Sequence, residues 1–303
     1  MLNLASNRLK NQVELGTIGD YFSLLKPRVM SLAIFSAFSG QVLALSMNKI
    51  HPALFIFSLL SIAMGAGAAG CINMWYDKDI DAKMLRTKDR PIPSGKIKPD
   101  EALALGVVLS ILSIVLLGLA SNLLASLLLA SSILFYIFIY TIWLKRKTYY
   151  NIVIGGAAGA LPPVIGWASV ANNIEGLPLI LFFLIFIWTP PHFWALSLFS
   201  KIDYENAGLP MLPNVKGKKE TIKSIIRYSY LLYIVGLLPY FLGYSGVLYL
   251  IFSILLSSVF LYLSFCLKKN NDKFSKKLFK YSIIYLFMIF IILMADNFIK
   301  YYT

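Results

Sequence analysis

The chain has 303 residues, of which 58% are apolar and only 14% are charged, and its formal net charge is +14. Soluble domains usually contain about 25% charged residues, so this composition excludes an ordinary soluble domain and a disordered chain. Cys71 and Cys266 stand far apart in apolar stretches, which excludes a disulfide scaffold and a paired-cysteine metal or redox motif. The composition predicts an all-α polytopic membrane protein, and it favours membrane topology over nucleic-acid binding as the reason for the positive charge.

The apolar residues form runs of the length that a membrane-spanning helix requires, about 17–25 residues. Nine such runs predict nine transmembrane helices in one domain, 29–303, after an N-terminal tail, 1–28. The seventh and eighth runs are separated only by residues 243–246, which predicts a tight helical hairpin. The runs are roughly 29–47, 52–75, 102–120, 123–143, 151–170, 178–199, 228–244, 247–267 and 279–298.

The charged residues alternate between the loops that join these runs. Of the 28 Lys and Arg residues, only Lys49 and Lys300 fall outside the N-terminal tail and the loops after the second, fourth, sixth and eighth runs. Of the 14 acidic residues, only Glu175 and Asp296 do so. Because basic loops stay on the cytoplasmic side, this distribution predicts a cytoplasmic N-terminus, an external C-terminus and an inner face that carries the whole net charge.

The loop after the second run contains a regular polar motif. Asn73, Asp77 and Asp81 are four residues apart, so on a helix they lie on one face. Oxygen ligands at this spacing suit Mg²⁺, and the Arg86 and Arg90 that follow suit phosphate. The motif therefore indicates either a site for a metal-bound diphosphate or a solvated acidic cap on the helix, and the spacing alone leaves both open.

A second acidic patch follows the sixth run. Asp203 and Glu205 come shortly after Lys201 at the predicted inner end of that span. Glycines at 65–70 and 155–159 would let the second and fifth spans pack closely against their neighbours. We therefore expect the two acidic loops and the basic loop 145–147 to meet as parts of one site at the inner face.

At this point the sequence resembles a known family. The motif of Asn73, Asp77 and Asp81, followed by Arg86-Thr-Lys-Asp-Arg90-Pro, resembles the first aspartate-rich motif of UbiA-type intramembrane prenyltransferases. Further strings resemble the protohaem farnesyltransferase branch of that family. They are Lys26-Pro-Arg28, the segment from Tyr140 to Asn151 leading into Gly155-Gly156, Trp188-Thr-Pro-Pro-His192-Phe-Trp-Ala195 and the segment from Asp203 to Pro213.

The resemblance implies a UbiA-type nine-helix bundle that transfers a farnesyl group from farnesyl diphosphate to a vinyl group of haem b, with addition of water, to give haem O. It implies Mg²⁺ as cofactor, with Asn73, Asp77, Asp81 and Asp203 as catalytic and metal-binding residues. The second motif is reduced, because Ala207 stands where many family members have a second aspartate. The predicted diphosphate-binding residues are Arg86, Arg90, Lys145, Lys201, Arg28 and Arg146.

His192 is the only histidine inside a predicted span. An ionisable group at that depth is a candidate functional residue, and imidazole is a common axial ligand of haem. His192 is therefore a candidate haem ligand, or else a neutral histidine hydrogen-bonded to a neighbouring helix. The expected surroundings are a bacterial inner membrane and a haem A synthase or oxidase assembly partner, without nucleic acid.

Three other functions stay open from the sequence. The same fold could prenylate an aromatic quinone precursor, or the chain could be a non-catalytic haem-binding assembly factor. A transporter is the third alternative, because Pro162-Pro163 and Pro190-Pro191 could break two helices at membrane depth.

Overall fold

A computed structural model describes residues 16–46, 48–269 and 272–302, and these residues are helical or lie in turns and short connections. The all-α prediction is confirmed. The predicted tail, 1–28, lies partly outside the described residues. Its described part holds one short helix, α1, which begins after a capping box formed by Thr17 and Asp20.

The helices have the following bounds in chain order. They are α1 (Ile18–Leu24), α2 (Pro27–Ala44), α3 (Pro52–Tyr76), α4 (Lys78–Lys83), α5 (Pro99–Ala120), α6 (Leu123–Leu134) with a π-helical segment (Phe135–Leu144), α7 (Asn151–Ala160), α8 (Pro162–Ala171), α9 (Gly176–Phe199), α10 (Lys201–Asn206), α11 (Leu212–Val215), α12 (Gly217–Phe241), α13 (Val247–Cys266) with a 3₁₀ turn (Leu267–Lys269) and α14 (Asp272–Tyr302).

Each of the nine predicted apolar runs is mainly helical over its described residues. Within the described residues, eight helical segments are long and apolar enough to cross a membrane, which is close to the predicted nine. The first run lies in α2, which has 18 residues, begins with Pro27 and Arg28 and contains Gln41. Because α2 is short, these polar residues fall within the length needed to cross a membrane, although α2 packs within the same bundle against α8 and α3.

Proline marks where several helices begin. Pro27, Pro52 and Pro99 stand in the first turn of α2, α3 and α5, where the missing amide hydrogen has no intrahelical partner to lose. Pro162 likewise begins α8 and separates it from α7 in one span. The second proline pair does not break its helix, because residues 190 and 191 lie inside the continuous α9.

Small residues bring the spans into backbone contact, as predicted for a bundle in lipid. A β-carbon built on Gly40 would lie 2.1 Å from the carbonyl oxygen of Pro163, and one on Gly166 would lie 2.0 Å from that of Ala37. The two glycines therefore allow α2 and α8 to pack backbone to backbone. The predicted role of Gly65 also holds, because its β-carbon would lie 2.9 Å from Leu129 of α6.

The segments predicted to face the cytoplasm lie at one end of this bundle. Lys96 forms an ion pair with Asp20 at 3.2 Å, and Tyr21 donates a hydrogen bond to Glu101 at 2.8 Å. At the other end, the carboxylate of Asp296 accepts hydrogen bonds from the amides of Gly246 and Tyr249 at the start of α13, where a helix dipole favours negative charge. This contact joins α14 to the predicted hairpin between α12 and α13, whose turn is closed by hydrogen bonds from the amides of Tyr244 and Ser245 to the carbonyl of Pro239.

Candidate active site

The polar motif of the third helix is buried. Asn73 lies in the last turn of α3, Asp77 caps that helix, and Asp81 follows in α4. The fractional exposures of the three residues are 3%, 0% and 3%. Asn73 donates a hydrogen bond to Asp77 at 2.8 Å. Such burial excludes a solvated acidic cap, because carboxylates leave water only where partners compensate the loss of hydration.

Cationic side chains from two other segments supply that compensation. Lys145 forms an ion pair with Asp77, and Arg90 contacts Asp81 at 2.6 Å. Arg146 binds Asp79 through two hydrogen bonds, at 2.7 and 2.8 Å, and approaches Asp77 at 3.7 Å. The structure thus brings the first motif together with Arg90 and the basic loop after α6. We call this group of buried carboxylates and its cations the polar cluster.

The π-helical segment at the end of α6 presents residues to the polar cluster. Thr141 accepts a hydrogen bond from Asn73 at 3.0 Å and donates one to the carbonyl of Tyr136, five residues earlier, at 2.8 Å. The same wide turn joins the amide of Lys145 to the carbonyl of Tyr140. Short π-helical stretches often occur at functional sites. Thr141 was not predicted, because hydropathy does not distinguish a π turn from an α turn.

Lys26 is a second member of the polar cluster that the sequence analysis missed. It stands at the N-cap of α2 with a positive φ of 54°, and its ammonium donates a hydrogen bond to Asn73 at 2.5 Å. Burial, with added repulsion from Arg90 and Lys145, lowers the pKa of Lys26 to about 7. An anion placed beside this ammonium would favour its charged form. The signal in the sequence was a lysine directly before the proline that begins a span.

The second acidic loop packs beside the first. Tyr204 of α10 lies in a buried apolar group with Ile80 of α4, Ile152 of α7 and Met211. This group sets the loop of Asp203, which is partly buried, next to the loop of the first motif. The predicted meeting of the two inner loops therefore occurs in the fold, through apolar contacts.

Three predicted phosphate-binding residues stand apart from the polar cluster. Arg28 and Arg86 are exposed, and Lys201 forms an ion pair with Glu205 of its own helix at 3.1 Å. Exposed long side chains can reposition at small energetic cost. Their assignment to diphosphate stays a prediction, as do the roles given above to Arg146 and Asp203.

The donor atoms of the polar cluster fit a hard divalent cation. Oδ1 of Asp77 is buried and has no hydrogen-bond partner among the residues that the structure describes, so it is an oxygen with an open ligand position. Asn73 and Asp81 add amide and carboxylate oxygens, the kind that Mg²⁺ prefers. Among residues 16–46, 48–269 and 272–302, no group of three or more acidic, histidine or cysteine side chains is arranged to bind a metal ion. The magnesium assignment therefore stays a prediction.

His192 lies elsewhere in the bundle. Its ring stacks between Trp188, with centroids 4.3 Å apart, and Phe279, at 4.7 Å. Nδ1 lies 2.6 Å from the hydroxyl of Ser282 in α14. The structure thus shows the histidine bonded to a neighbouring helix. This contact fixes the ring and leaves Nε2 as the nitrogen for an external ligand, so haem ligation stays a prediction.

An apolar cavity of about 160 Å³ opens beside the polar cluster. Lys26 lies at its polar end, and the remaining wall comes mainly from apolar and small residues of α2, α3, α6, α7 and α8. Ile62, Leu129 and Ile165 line its far end, deeper in the bundle. A cation-rich polar cluster next to an apolar cavity suits a ligand with an anionic head and a hydrocarbon tail.

Comparison with known proteins identifies the class. The chain belongs to the UbiA prenyltransferase family, and the match to this family covers residues 33–291. It is therefore an integral membrane enzyme, a prenyltransferase, and the transporter alternative is not retained. The resemblance seen in the sequence is confirmed.

Curated relatives narrow the comparison. The chain is 50% identical over 288 residues to the protoheme IX farnesyltransferase of Parvibaculum lavamentivorans, covering 93% of this chain and 90% of that protein. It is 52% identical over 279 residues to the protoheme IX farnesyltransferase of Rickettsia bellii, covering 91% and 92% of the two chains.

Solved structures share the fold. A structure described with the biosynthesis of digeranylgeranylglyceryl phosphate synthase in membranes has a TM-score of 0.75 and 22% identity, covering 92% of this chain and 98% of that chain. A UbiA homolog from Archaeoglobus fulgidus bound to DMAPP and Mg²⁺ has a TM-score of 0.68 and 17% identity, covering 91% and 99%. At these identities the likeness establishes the bundle architecture alone.

Proposed function

We propose that this prenyltransferase transfers the farnesyl group of farnesyl diphosphate to a vinyl group of haem b and, with addition of water, forms haem O and diphosphate. The buried polar cluster beside an apolar cavity is the observation on which the proposal depends. The identity of about 50% to protoheme IX farnesyltransferases over most of the chain supports the choice of acceptor.

The two ends of farnesyl diphosphate match the two environments. The diphosphate would lie against Lys26, Lys145 and Arg90. Lys26 donates a hydrogen bond to Asn73, and Lys145 and Arg90 form ion pairs with the buried carboxylates of Asp77 and Asp81. The hydrocarbon chain would enter the apolar cavity, where its removal from water is favourable by about 25 cal/mol per Å². In this arrangement the bond between C1 and the diphosphate would lie at the border of the two regions.

The reaction needs little proton transfer from the protein. Breaking the C1–O bond leaves the electron pair on the diphosphate and an allylic cation on the farnesyl chain. Lys26 and Lys145 stabilise the charge on the departing diphosphate, which is the kind of electrostatic effect that dominates many enzymes. The vinyl group of haem b then forms the new C–C bond, and water adds to the resulting cation with loss of a proton.

A bound Mg²⁺ would supply further stabilisation of the leaving diphosphate by binding its oxygens. Asn73, Asp77 and Asp81 would hold it, with Asp203 from the second loop. Arg86, Lys201, Arg28 and Arg146 are the outer cations that we propose for diphosphate capture. His192 is our candidate for orienting or ligating the haem.

The cellular setting belongs to the same proposal. The basic end of the bundle, with the active site and the N-terminus, would face the cytoplasm of a bacterial inner membrane, and the C-terminus would lie outside. This orientation follows from the confinement of basic loops to one end. Haem O carries a long apolar farnesyl chain, so we propose transfer within the bilayer to a haem A synthase or an oxidase assembly partner.

The test is a reconstituted reaction. Purified protein in lipid nanodiscs receives haem b, farnesyl diphosphate and Mg²⁺, and the product is identified by mass spectrometry. Formation of haem O supports the proposal. Prenylation of an added hydroxybenzoate without conversion of haem would overturn it and favour the quinone alternative, whereas haem binding without turnover of either acceptor would favour the assembly factor.

A further inference from the structure

Close packing explains why two of the three glycines of α7 carry no side chain. A β-carbon on Gly155 would lie 2.2 Å from the ring of Tyr140, and one on Gly156 would lie 3.1 Å from Thr189. A β-carbon on Gly159 would meet no heavy atom of the described residues within 4 Å, and its φ is not among the positive values. Glycine inside a helix costs about 0.5–1 kcal/mol relative to alanine, so neither packing nor backbone conformation accounts for Gly159.

Gly159 is exposed, and it lies in the wall of the apolar cavity. Gly159 and its neighbour Ala158 both line it, with Ser132 of α6 also in the wall. Gly65 lines it too, but a β-carbon there would press against Leu129 at 2.9 Å. At Gly70, the third glycine of the wall, a β-carbon would already touch Lys26 at 3.5 Å. Among the described residues, Gly159 is therefore the wall glycine beside which an added side chain has the most open space.

Gly159 lies in the deep part of the cavity, away from the polar cluster. It stands eight residues after Asn151, the first residue of α7, or about 12 Å along the helix at 1.5 Å per residue. Asn73, in the polar cluster, is eleven residues from Ile62 at the far wall, or about 16 Å by the same rise. A hydrocarbon chain that starts at the polar cluster would reach Gly159 with its distal part.

We propose that Gly159 is a specificity-determining residue, which leaves room in the cavity for the distal isoprene unit of a 15-carbon prenyl diphosphate. This inference rests on the proposed function, because it assigns the cavity to the prenyl chain. A larger side chain at 159 would shorten the cavity, exclude the third isoprene unit and still admit the two units of geranyl diphosphate.

The test compares two diphosphates on two variants. Calorimetric titration of the full chain in detergent with Mg²⁺ gives the Kd of farnesyl diphosphate and of geranyl diphosphate. For Gly159→Leu we expect the farnesyl Kd to rise at least tenfold and the geranyl Kd to change less than threefold. Ala104→Leu adds the same side chain at an exposed position of α5 and should change neither value.

Equal losses for both diphosphates in Gly159→Leu, or no loss for either, would overturn the inference. Gly159→Ala provides a second measurement if the leucine variant does not fold, because alanine favours the helix. It should raise the farnesyl Kd by at least twofold while leaving the geranyl Kd unchanged, and a geranyl Kd that rises equally contradicts the inference.

Binding also separates the two proposals. If the wild-type chain binds both diphosphates and Gly159→Leu discriminates between them, the inference stands even where haem b is not converted, and only the proposed acceptor fails. If the wild-type chain produces haem O but the variant treats both diphosphates alike, only the role of Gly159 fails.

Discussion

Asp77 is a fully buried carboxylate at the point where α3 ends, and its negative charge is balanced by Lys145 from another segment. Asp77→Asn keeps the size of the side chain and removes its charge. We expect transfer activity to fall by roughly 100-fold or more, because losing one preorganised electrostatic contact typically costs that much in rate. Haem O formation by the purified variant measures the loss.

The control is Asp79→Asn, two residues away. The carboxylate of Asp79 is 55% exposed and binds Arg146, and exposed ion pairs contribute little to stability. This variant should keep activity within threefold of the wild type. Full activity in Asp77→Asn would contradict the assignment of the polar cluster to the diphosphate.

Lys26 extends the polar cluster to the entrance of the apolar cavity. Lys26→Met retains the apolar part of the side chain and removes the ammonium. We expect the KM for farnesyl diphosphate to rise roughly 10- to 100-fold, corresponding to about 1.5–3 kcal/mol for a hydrogen bond to a charged group. Lys147→Met removes an exposed lysine of the basic loop and should leave KM nearly unchanged. Equal increases of KM in the two variants would show that Lys26 contributes only a general surface charge.

At the scale of helices, the contact between α2 and α8 depends on glycine. Gly166→Ala would place a methyl group 2.0 Å from the carbonyl oxygen of Ala37, so the two backbones must separate. We expect a destabilisation of about 1–3 kcal/mol, which is typical of overpacking, seen as a lower Tm in detergent. Gly118→Ala is the matched control, because its methyl group would meet Ser126 at 3.4 Å, an ordinary contact. An unchanged Tm in Gly166→Ala would show that this interface is not tightly packed.

The helices also explain why the polar residues meet. α3 ends at the first motif, the π-helical segment ends at Leu144, directly before Lys145, and α10 follows α9 with Asp203. Each functional loop therefore begins where a long apolar helix leaves the bilayer, so the bundle itself sets the distances between loops. Pro190 and Pro191 show that a pair of prolines does not by itself end a helix, since α9 continues through both.

For the whole molecule, the testable property is sidedness. Cys71 and Cys266 are buried, so an added exposed cysteine can be labelled selectively. We expect an impermeant thiol reagent to modify Lys49→Cys in intact spheroplasts and to modify Lys147→Cys only after the membrane is opened, because basic loops stay inside. Labelling of Lys147→Cys in intact spheroplasts would reverse the proposed orientation.

The sequence by itself determined the architecture, the positions of the spans and the residues of the first motif. Spans are readable because a helix in lipid satisfies its own backbone hydrogen bonds and so needs only a continuous apolar run. Asn73, Asp77 and Asp81 were readable because their spacing matches the helical period. The resemblance to prenyltransferases indicated the class, which the family match confirmed.

Only the tertiary structure decided how the charges pair and where the cavity lies. Lys26 and Asn73 are separated by 47 positions, and Lys145 and Asp77 by 68, so their contacts depend on the packing of whole helices. The role of Gly159 has the same origin, because the sequence shows three similar glycines in α7 and only their neighbours in space distinguish them. Hydropathy fixes which segments enter the membrane, whereas side-chain packing between them fixes which polar groups meet at its surface.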